Sequence, residues 1–212
     1  MISKKRLLRK SKLYVILDKG SCKKSNPVKF FKQIKNRGVG IVQLRDKISP
    51  KNEIAKLALR IKQSLNKSKV IFIINDFADI AKVVDADGIH IGQDDPDIKT
   101  ARRILGRHKI IGVSCHSLKQ LITAQKNGAD YMAIGPIFPT SLKPKARPLG
   151  LSLLKKISTV SWRKPIFAVG GISPENLSEV LATGNRRVAV ASAICRARRP
   201  ALAIKKLNAQ LR

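Results

Sequence analysis

The stretch VIFIINDFADIAKVVDADGIHIGQDDPD (residues 70–97) decides the fold of this chain. Its two apolar runs, 70–74 and 88–91, show no alternation with polar residues, which is typical of strands buried on both faces. A short amphipathic segment, residues 77–84, lies between them. The stretch therefore predicts a strand–helix–strand unit with parallel strands.

The same alternation continues in both directions from this unit. The predicted strands cover residues 13–17, 39–44, 70–74, 88–91, 109–113, 130–134, 165–169 and 187–191. The predicted helices cover residues 27–36 (with Asn26 as N-cap), 50–66, 77–84, 97–105, 117–127, a segment from Leu149, 175–183 and 200–210. Eight such units predict an α/β fold, a single (β/α)8 TIM barrel. An open doubly wound sheet is disfavoured, because no GxGxxG follows the first strand.

The composition limits the class of protein. A length of 212 residues fits one domain, and no apolar run reaches the length of a transmembrane helix. We expect residues 1–11 to form a basic, solvated tail and residues 12–212 to form the barrel. The three cysteines show no CxxC spacing, which favours a reducing, cytoplasmic compartment over a disulfide framework.

The charge of the chain is unusual. Lys and Arg number 44 against 13 Asp and Glu, a formal net charge of +31. Such a charge attracts nucleic acid, but aromatic residues make up only 4% of the chain and are not interleaved with the basic ones. We therefore expect nucleic acid to bind only non-specifically.

The acids are concentrated in one place. Seven of the 13 lie between Asp76 and Asp97, which suggests that they hold something positive. Asp76 and Asp95 follow the third and fourth strands, whose ends are neighbours in a parallel barrel. Mg²⁺ binds through one or two carboxylates plus substrate phosphates, so these two residues are the candidate metal ligands. The alternative is helix N-capping, which Asp76 and Asp94 could each provide.

Polar residues at the ends of other strands are candidates for substrate binding. Gln43, Arg45 and Lys47 follow the second strand at a spacing of two, so they face one side and suit a diphosphate. Ser114, after the fifth strand, could bond a substrate ring. Its neighbours Cys115 and His116 point in opposite directions, which argues against a catalytic pair; we expect His116 to cap or pack.

The loop from residue 135 to 150 is the longest and carries four prolines, as functional lids often do. Within it, Thr140, Ser141 and Lys143 could close over a phosphate, although a stiff surface loop is the alternative. The loops after the seventh and eighth strands form the usual phosphate site of TIM barrels. Their candidate residues are Gly171, Ala191 and Ser192.

Several motifs occur together in an order that resembles the thiamine phosphate synthase family. They are QLRDK (43–47), ND (75–76), GIHIGQDD (88–95), GVSxH (112–116), GPIFPTxxK (135–143), VGGI (169–172) and VASAI (190–194). The resemblance covers about residues 12–207. It implies a (β/α)8 barrel and a magnesium-dependent transferase of thiamine biosynthesis. Such an enzyme joins hydroxymethylpyrimidine diphosphate to thiazole phosphate and releases pyrophosphate and thiamine phosphate.

The resemblance also implies a role for each matching residue. Gln43, Arg45 and Lys47 would hold the diphosphate, and Asp76 and Asp95 the magnesium. Asn75 would lie beside the pyrimidine, and Ser114 would contact the pyrimidine or the reacting centre. Thr140 and Lys143 would bind phosphates, with Ser141 as a substitute donor. The thiazole phosphate would be bound by Gly171, Ala191 and Ser192. The chemistry implied is a dissociative displacement without a dedicated base.

Two departures from the family, Leu142 and the high net charge, keep alternatives open. Leu142 stands where the family's lid has a second Thr, and Pro136 stands where the related thiazole tautomerase has its catalytic histidine. The missing histidine favours the synthase over the tautomerase. A non-enzymatic barrel that binds ligand or RNA is the other alternative, motivated by Leu142 and the charge. A homo-oligomer is compatible with the sequence.

Overall fold

Eight parallel strands close into one barrel in the computed structural model, which describes residues 3–22, 27–65 and 68–212. The strands are β1 (Leu13–Asp18), β2 (Ile41–Arg45), β3 (Ile71–Asn75), β4 (Gly88–Ile91), β5 (Ile110–Cys115), β6 (Tyr131–Ile134), β7 (Ile166–Val169) and β8 (Val188–Val190). Each pairs with the next along the chain, and β8 closes the barrel on β1. The prediction of a (β/α)8 barrel is confirmed.

Helices surround the barrel and connect successive strands. They are α1 (Lys4–Lys10), α2 (Pro27–Ile34), α3 (Lys51–Ser64), α4 (Ala78–Val83), α5 (Ile98–Leu105), α6 (Leu118–Lys126), α7 (Gly150–Ser158), α8 (Leu177–Ala182), α9 (Ser192–Cys195) and α10 (Pro200–Gln210). The proposed N-cap Asn26 lies outside the described residues. Helices α1 and α9 were not expected from the sequence.

Alternate residues of each strand point into the barrel and fill its interior. This inner cluster consists of Leu8, Tyr14, Ile41, Ile71, Ile73, Ile110, Tyr131, Phe167 and Ala189. The intervening strand residues, such as Val15, Val42 and Phe72, are buried beneath the helices. Both faces of the strands are therefore apolar, which explains why the strand sequences are continuous apolar runs.

The N-terminal segment corrects one prediction, because residues 4–10 form helix α1 rather than a solvated tail. Leu8 of this helix is 2% exposed and packs among the inner residues of the barrel. Lys4 and Lys5 form ion pairs with Asp87 and Asp130 at 3.1 and 3.0 Å. Helix α1 thus closes the amino-terminal end of the barrel, which leaves the carboxyl-terminal end as the open one.

None of the helices in the described parts of the chain combines the length and the apolar character that a membrane crossing requires.

Candidate active site

The carboxyl-terminal ends of the strands open onto a cavity of about 450 Å³. Its wall includes residues from β2 and from the ends of β3 to β6. The predicted site residues in this wall are Gln43, Arg45, Lys47, Asn75, Asp76, Asp95, Ser114, Thr140 and Lys143. Carboxylates and basic side chains therefore face the same space, which suits a phosphorylated ligand together with a metal cation.

The register of the sheet explains this convergence. Asn75 at the end of β3 pairs with His90 of β4, and Ser114 of β5 pairs with Ala133 of β6. These residues and Gln43 point inward in the layer next to the open end of the barrel. The interior is apolar below this layer and polar within it, so the polar residues meet the ligand space directly.

Asp76 and Asp95 are the acidic part of the wall. Asp76 has φ of 62°, and its backbone N–H donates to the His90 carbonyl over 2.9 Å. Burial raises the pKa of Asp76, and the neighbouring Asp95 carboxylate raises it further, while Lys47 acts in the opposite direction. Two neighbouring carboxylates in a half-buried position would both be stabilised by a cation.

Donors from the protein hold this acidic pair in place. Lys47 Nζ lies 2.5 Å from Asp76 Oδ2, and the Gly92 N–H donates to Asp95 Oδ2 over 2.6 Å. Among the described residues, no group of three or more His, Cys, Asp or Glu side chains could by itself enclose a metal ion. A divalent cation held by this pair would therefore need further oxygen ligands from substrate or water.

The basic part of the wall has a support that the sequence did not reveal. Arg45 forms an ion pair with Asp18 at the end of β1, and Asp18 is 3% exposed. Asp18 also accepts a hydrogen bond from the Ser21 N–H over 2.8 Å. The carboxylate thereby orients the guanidinium, which retains further donors for an anion.

A hydrogen-bonded chain that sequence reasoning missed crosses the floor of the cavity. Gln43 Nε2 donates to Tyr14 OH over 2.6 Å, and Tyr14 OH lies 2.9 Å from Tyr131 OH. His90 links the chain to Ser114, because its Nδ1 lies 3.0 Å from Tyr131 OH and its Nε2 lies 2.9 Å from Ser114 Oγ. A usable signal was present, since Tyr14 and His90 are single polar residues inside apolar strands.

Cys115 and His116 do not form a catalytic pair. Cys115 is fully buried outside the cavity wall, and burial raises the pKa of its thiol to about 12. His116 does face the cavity, and its Nδ1 lies 2.5 Å from the Gly135 carbonyl oxygen. The wall thus offers ligands for a metal and an anion but no activated thiol.

Comparison with known proteins settles the family. The family model described as thiamine monophosphate synthase matches residues 13–194, which include all eight strands. This chain belongs to that family.

Curated relatives agree with this assignment to the thiamine monophosphate synthase family. The thiamine-phosphate synthase of Persephonella marina is 41% identical over 86% of this chain and 87% of its own length. That of Prochlorococcus marinus is 42% identical over 82% of this chain but 50% of its own length. The chain therefore spans about half the length of some of the curated relatives it matches.

A solved structure supports both the family and the fold. Thiamine phosphate pyrophosphorylase from Pyrococcus furiosus has a TM-score of 0.86 and 35% identity, covering 98% of this chain and 96% of that one. A 3-hexulose-6-phosphate synthase, at a TM-score of 0.65 and 19% identity, shares the fold alone.

Four candidate residues suggested by the family motifs lie outside the cavity wall. They are Ser141, Gly171, Ala191 and Ser192. Gly171 has φ of 66°, and a Cβ there would lie 2.5 Å from the Pro139 carbonyl oxygen. The absence of a side chain at Gly171 therefore allows the lid loop to pack closely against the end of β7. Gly170 and Ala189 face the cavity from β7 and β8 instead.

Proposed function

We propose that this protein is a thiamine phosphate synthase, which joins hydroxymethylpyrimidine diphosphate to thiazole phosphate and releases pyrophosphate. The observation that carries the proposal is the presence of Asp76 and Asp95 in one cavity wall with Arg45, Lys47 and Lys143. The names of the relatives support the choice of substrates, since both reported curated relatives are thiamine-phosphate synthases.

Mg²⁺ is part of the proposal, and the residues present fit it. Asp76 and Asp95 would hold the ion, and substrate phosphate oxygens would complete its shell. When bound, the ion would stabilise negative charge on the departing pyrophosphate. Burial, together with the neighbouring Asp95 carboxylate, raises the pKa of Asp76, and this is the structural reason to expect a cation there.

The protein side chains would favour departure of the pyrophosphate. Arg45 offers a planar fork of donors, and Lys47 and Lys143 offer point charges to its oxygens. The bond between the methylene carbon and the diphosphate oxygen breaks, and the oxygen keeps the electron pair. The thiazole nitrogen then donates its lone pair to the pyrimidine methylene cation. The wall holds the two substrates together, and neither a protein nucleophile nor a base is needed.

The wall disfavours the tautomerase alternative. Pro136 lies in it at the position where the tautomerase would carry its histidine. A proline side chain cannot transfer a proton. The site therefore supports the displacement better than an isomerisation that needs proton transfer.

A coupling assay tests the proposal. Protein washed free of RNA at high salt is mixed with both substrates and Mg²⁺, and thiamine phosphate and pyrophosphate are quantified. We expect both products in equal amounts, and neither when EDTA exceeds the metal. Restoration by added Mg²⁺ controls for damage by the chelator. Absence of both products, beside an active synthase control, would contradict the proposal.

The proposed setting is a reducing, cytoplasmic compartment. Cys22, Cys115 and Cys195 are all buried and free, so the cysteines form no disulfide framework.

A second function, non-specific binding of RNA, is favoured by a groove at the other end of the barrel. The groove has a volume of about 1150 Å³ and lies between the amino-terminal ends of β1 to β3 and the end of α10. The basic residues that line it are Lys10, Lys12, Lys35, Arg37, Lys69, Lys205 and Arg212. Within residues 3–22, 27–65 and 68–212, no aspartate or glutamate lines the groove or forms an ion pair with these side chains.

Three aspartates at this end of the barrel lie outside the groove. Asp85, Asp87 and Asp130 precede β4 and β6 and pair with lysine and arginine side chains there. Among the described residues, none that lines the groove is aromatic and could stack on a base. A phosphate backbone is therefore the partner that the groove fits, without readout of sequence.

Paired charge reversals distinguish RNA binding by the groove from attraction of RNA by the net charge of the protein. We expect Lys69→Glu with Lys205→Glu to weaken binding of a single-stranded RNA oligonucleotide about tenfold or more near ~150 mM salt. The slope of log affinity against log salt should also fall by about 2. Lys155→Glu with Lys156→Glu, on exposed positions of α7, makes the same change in net charge. An equal loss of RNA affinity in the two double variants would contradict a role for the groove.

A further inference from the structure

In the hydrogen-bonded chain beneath the cavity, each hydroxyl and the neutral imidazole can donate only one proton. All donors of the chain must therefore point the same way along it. Gln43, Tyr14, Tyr131 and His90 are 2, 1, 0 and 7% exposed, so their side chains are almost completely buried. Buried polar groups of this kind are almost always satisfied by neighbours. The direction of the chain is therefore decided by counting donors and acceptors.

The count starts at Gln43, whose amide nitrogen faces Tyr14. Tyr14 OH accepts this bond, and among the described residues the only other atom that can accept its own proton is Tyr131 OH. Tyr131 in turn donates to His90 Nδ1. Because Nδ1 accepts this proton, it carries none of its own, and the ring proton of His90 lies on Nε2. Burial also lowers the pKa of His90 to about 4, which favours the same neutral ring.

We propose that Tyr131 is a positioning residue that sets the direction of this chain and thereby makes the Ser114 hydroxyl a donor toward the cavity. Ser114 Oγ accepts from His90 Nε2–H, so its single proton is free to point at a ligand. The ligand atom that meets Ser114 must then be an acceptor, such as a ring nitrogen or a phosphate oxygen. The consequence for turnover rests on the proposed function, but the direction of the chain does not.

The packing holds Tyr131 in the orientation that this role needs. Its ring lies edge-on to Tyr14 and Phe167, with both centroid distances 5.8 Å, and stacks on His90 at 5.5 Å. A Cβ on Gly112 would lie 2.0 Å from Tyr131 Cζ, so β5 has a glycine where the ring passes. Tyr131 does not line the cavity, and it acts on a ligand only through His90 and Ser114.

The direction can be measured on the unliganded wild-type protein. Nitrogen–proton NMR correlations of ¹⁵N-histidine-labelled protein near pH 7 report which ring nitrogen of His90 carries the proton. We expect protonated Nε2 and unprotonated Nδ1. The opposite tautomer would reverse every bond in the chain and overturn the proposal. Because the measurement needs neither substrate nor turnover, its outcome is independent of the coupling assay.

A variant tests the consequence for the reaction. Tyr131→Phe keeps the ring but removes the donor to His90 Nδ1, so the His90 tautomers should mix and kcat should fall about tenfold. Phe167→Leu disturbs the same ring cluster without touching a hydrogen bond, and it should keep the wild-type tautomer. A wild-type tautomer and kcat in Tyr131→Phe would overturn the proposal. If that variant does not fold, the wild-type NMR measurement still decides the direction.

Discussion

Asp76→Asn should lower kcat of the coupling reaction by about 10²- to 10³-fold. The substitution removes one of two carboxylates that would hold Mg²⁺, and it also removes the partner of Lys47. The concentration of Mg²⁺ needed for half-maximal rate should rise in the same variant. Steady-state kinetics at several magnesium concentrations measure both effects.

The structure makes asparagine the right replacement at this position. The φ of 62° at Asp76 is in the left-handed region, which asparagine tolerates and alanine does not. Removing one of two neighbouring carboxylates also relieves repulsion, so the melting temperature should stay equal or rise. Loss of activity without loss of stability identifies a residue that is strained in the free protein for the sake of its ligand.

Asp97→Asn is the matched control. Asp97 lies in the same acid-rich stretch, but its exposed side chain caps α5 by accepting from the Thr100 N–H over 2.8 Å. Asparagine caps a helix about as well as aspartate, so this variant should keep the wild-type rate. Equal activity in Asp76→Asn and wild type would contradict the assignment of the metal site.

The barrel could be predicted from the sequence because burial on both faces leaves a plain signal. The run VIFII at 70–74 predicted β3, which the structure places at Ile71–Asn75. The three-residue strand β8 was also predicted, because it lies within the mostly apolar run at 187–191. Polar residues that directly follow such runs, including Arg45 and Asp76, could be recognised because the open end of a barrel lies there.

Helix α1 could not be predicted, because its stability depends on distant residues. Its sequence KKRLLRK has no acid and only two apolar side chains. Leu8 becomes buried only after the strands have formed a barrel for it to close. The carboxylates that pair with Lys4 and Lys5 lie more than 80 positions away along the chain.

The hydrogen-bonded chain beneath the cavity could not be predicted from the sequence for a related reason. Tyr14 and Tyr131 can be recognised as polar residues within apolar strands, but a tyrosine there is compatible with either face of the sheet, so the sequence does not show that their hydroxyls meet. Their hydroxyls meet 2.9 Å apart although 117 positions separate them in sequence. Only the closure of the barrel brings β1 and β6 to opposite sides of one interior, and this is a property of the complete fold.

Lys143→Ala should lower kcat by about 10²-fold with a smaller change in KM. Lys143 faces the cavity from the loop between β6 and α7, and that loop is fixed at its base. The Leu149 N–H donates to the Pro136 carbonyl over 2.7 Å, and the Gly150 N–H donates to the Ile137 carbonyl over 3.2 Å. A cation held in this way stabilises charge that appears on the leaving group as the bond breaks, more than charge already present in the bound substrate.

Lys145→Ala supplies the comparison, because Lys145 is an exposed cation of the same loop that does not face the cavity. Both variants lower the net charge equally, so long-range attraction of phosphorylated substrates changes by the same amount. A raised KM with unchanged kcat in Lys143→Ala would mean that the lysine binds substrate and transition state alike. Equal kinetics in the two variants would instead mean that the loop contributes only its charge. The expected loss of kcat in Lys143→Ala alone would place this lysine at the departing pyrophosphate, on the side of the cavity that faces the lid.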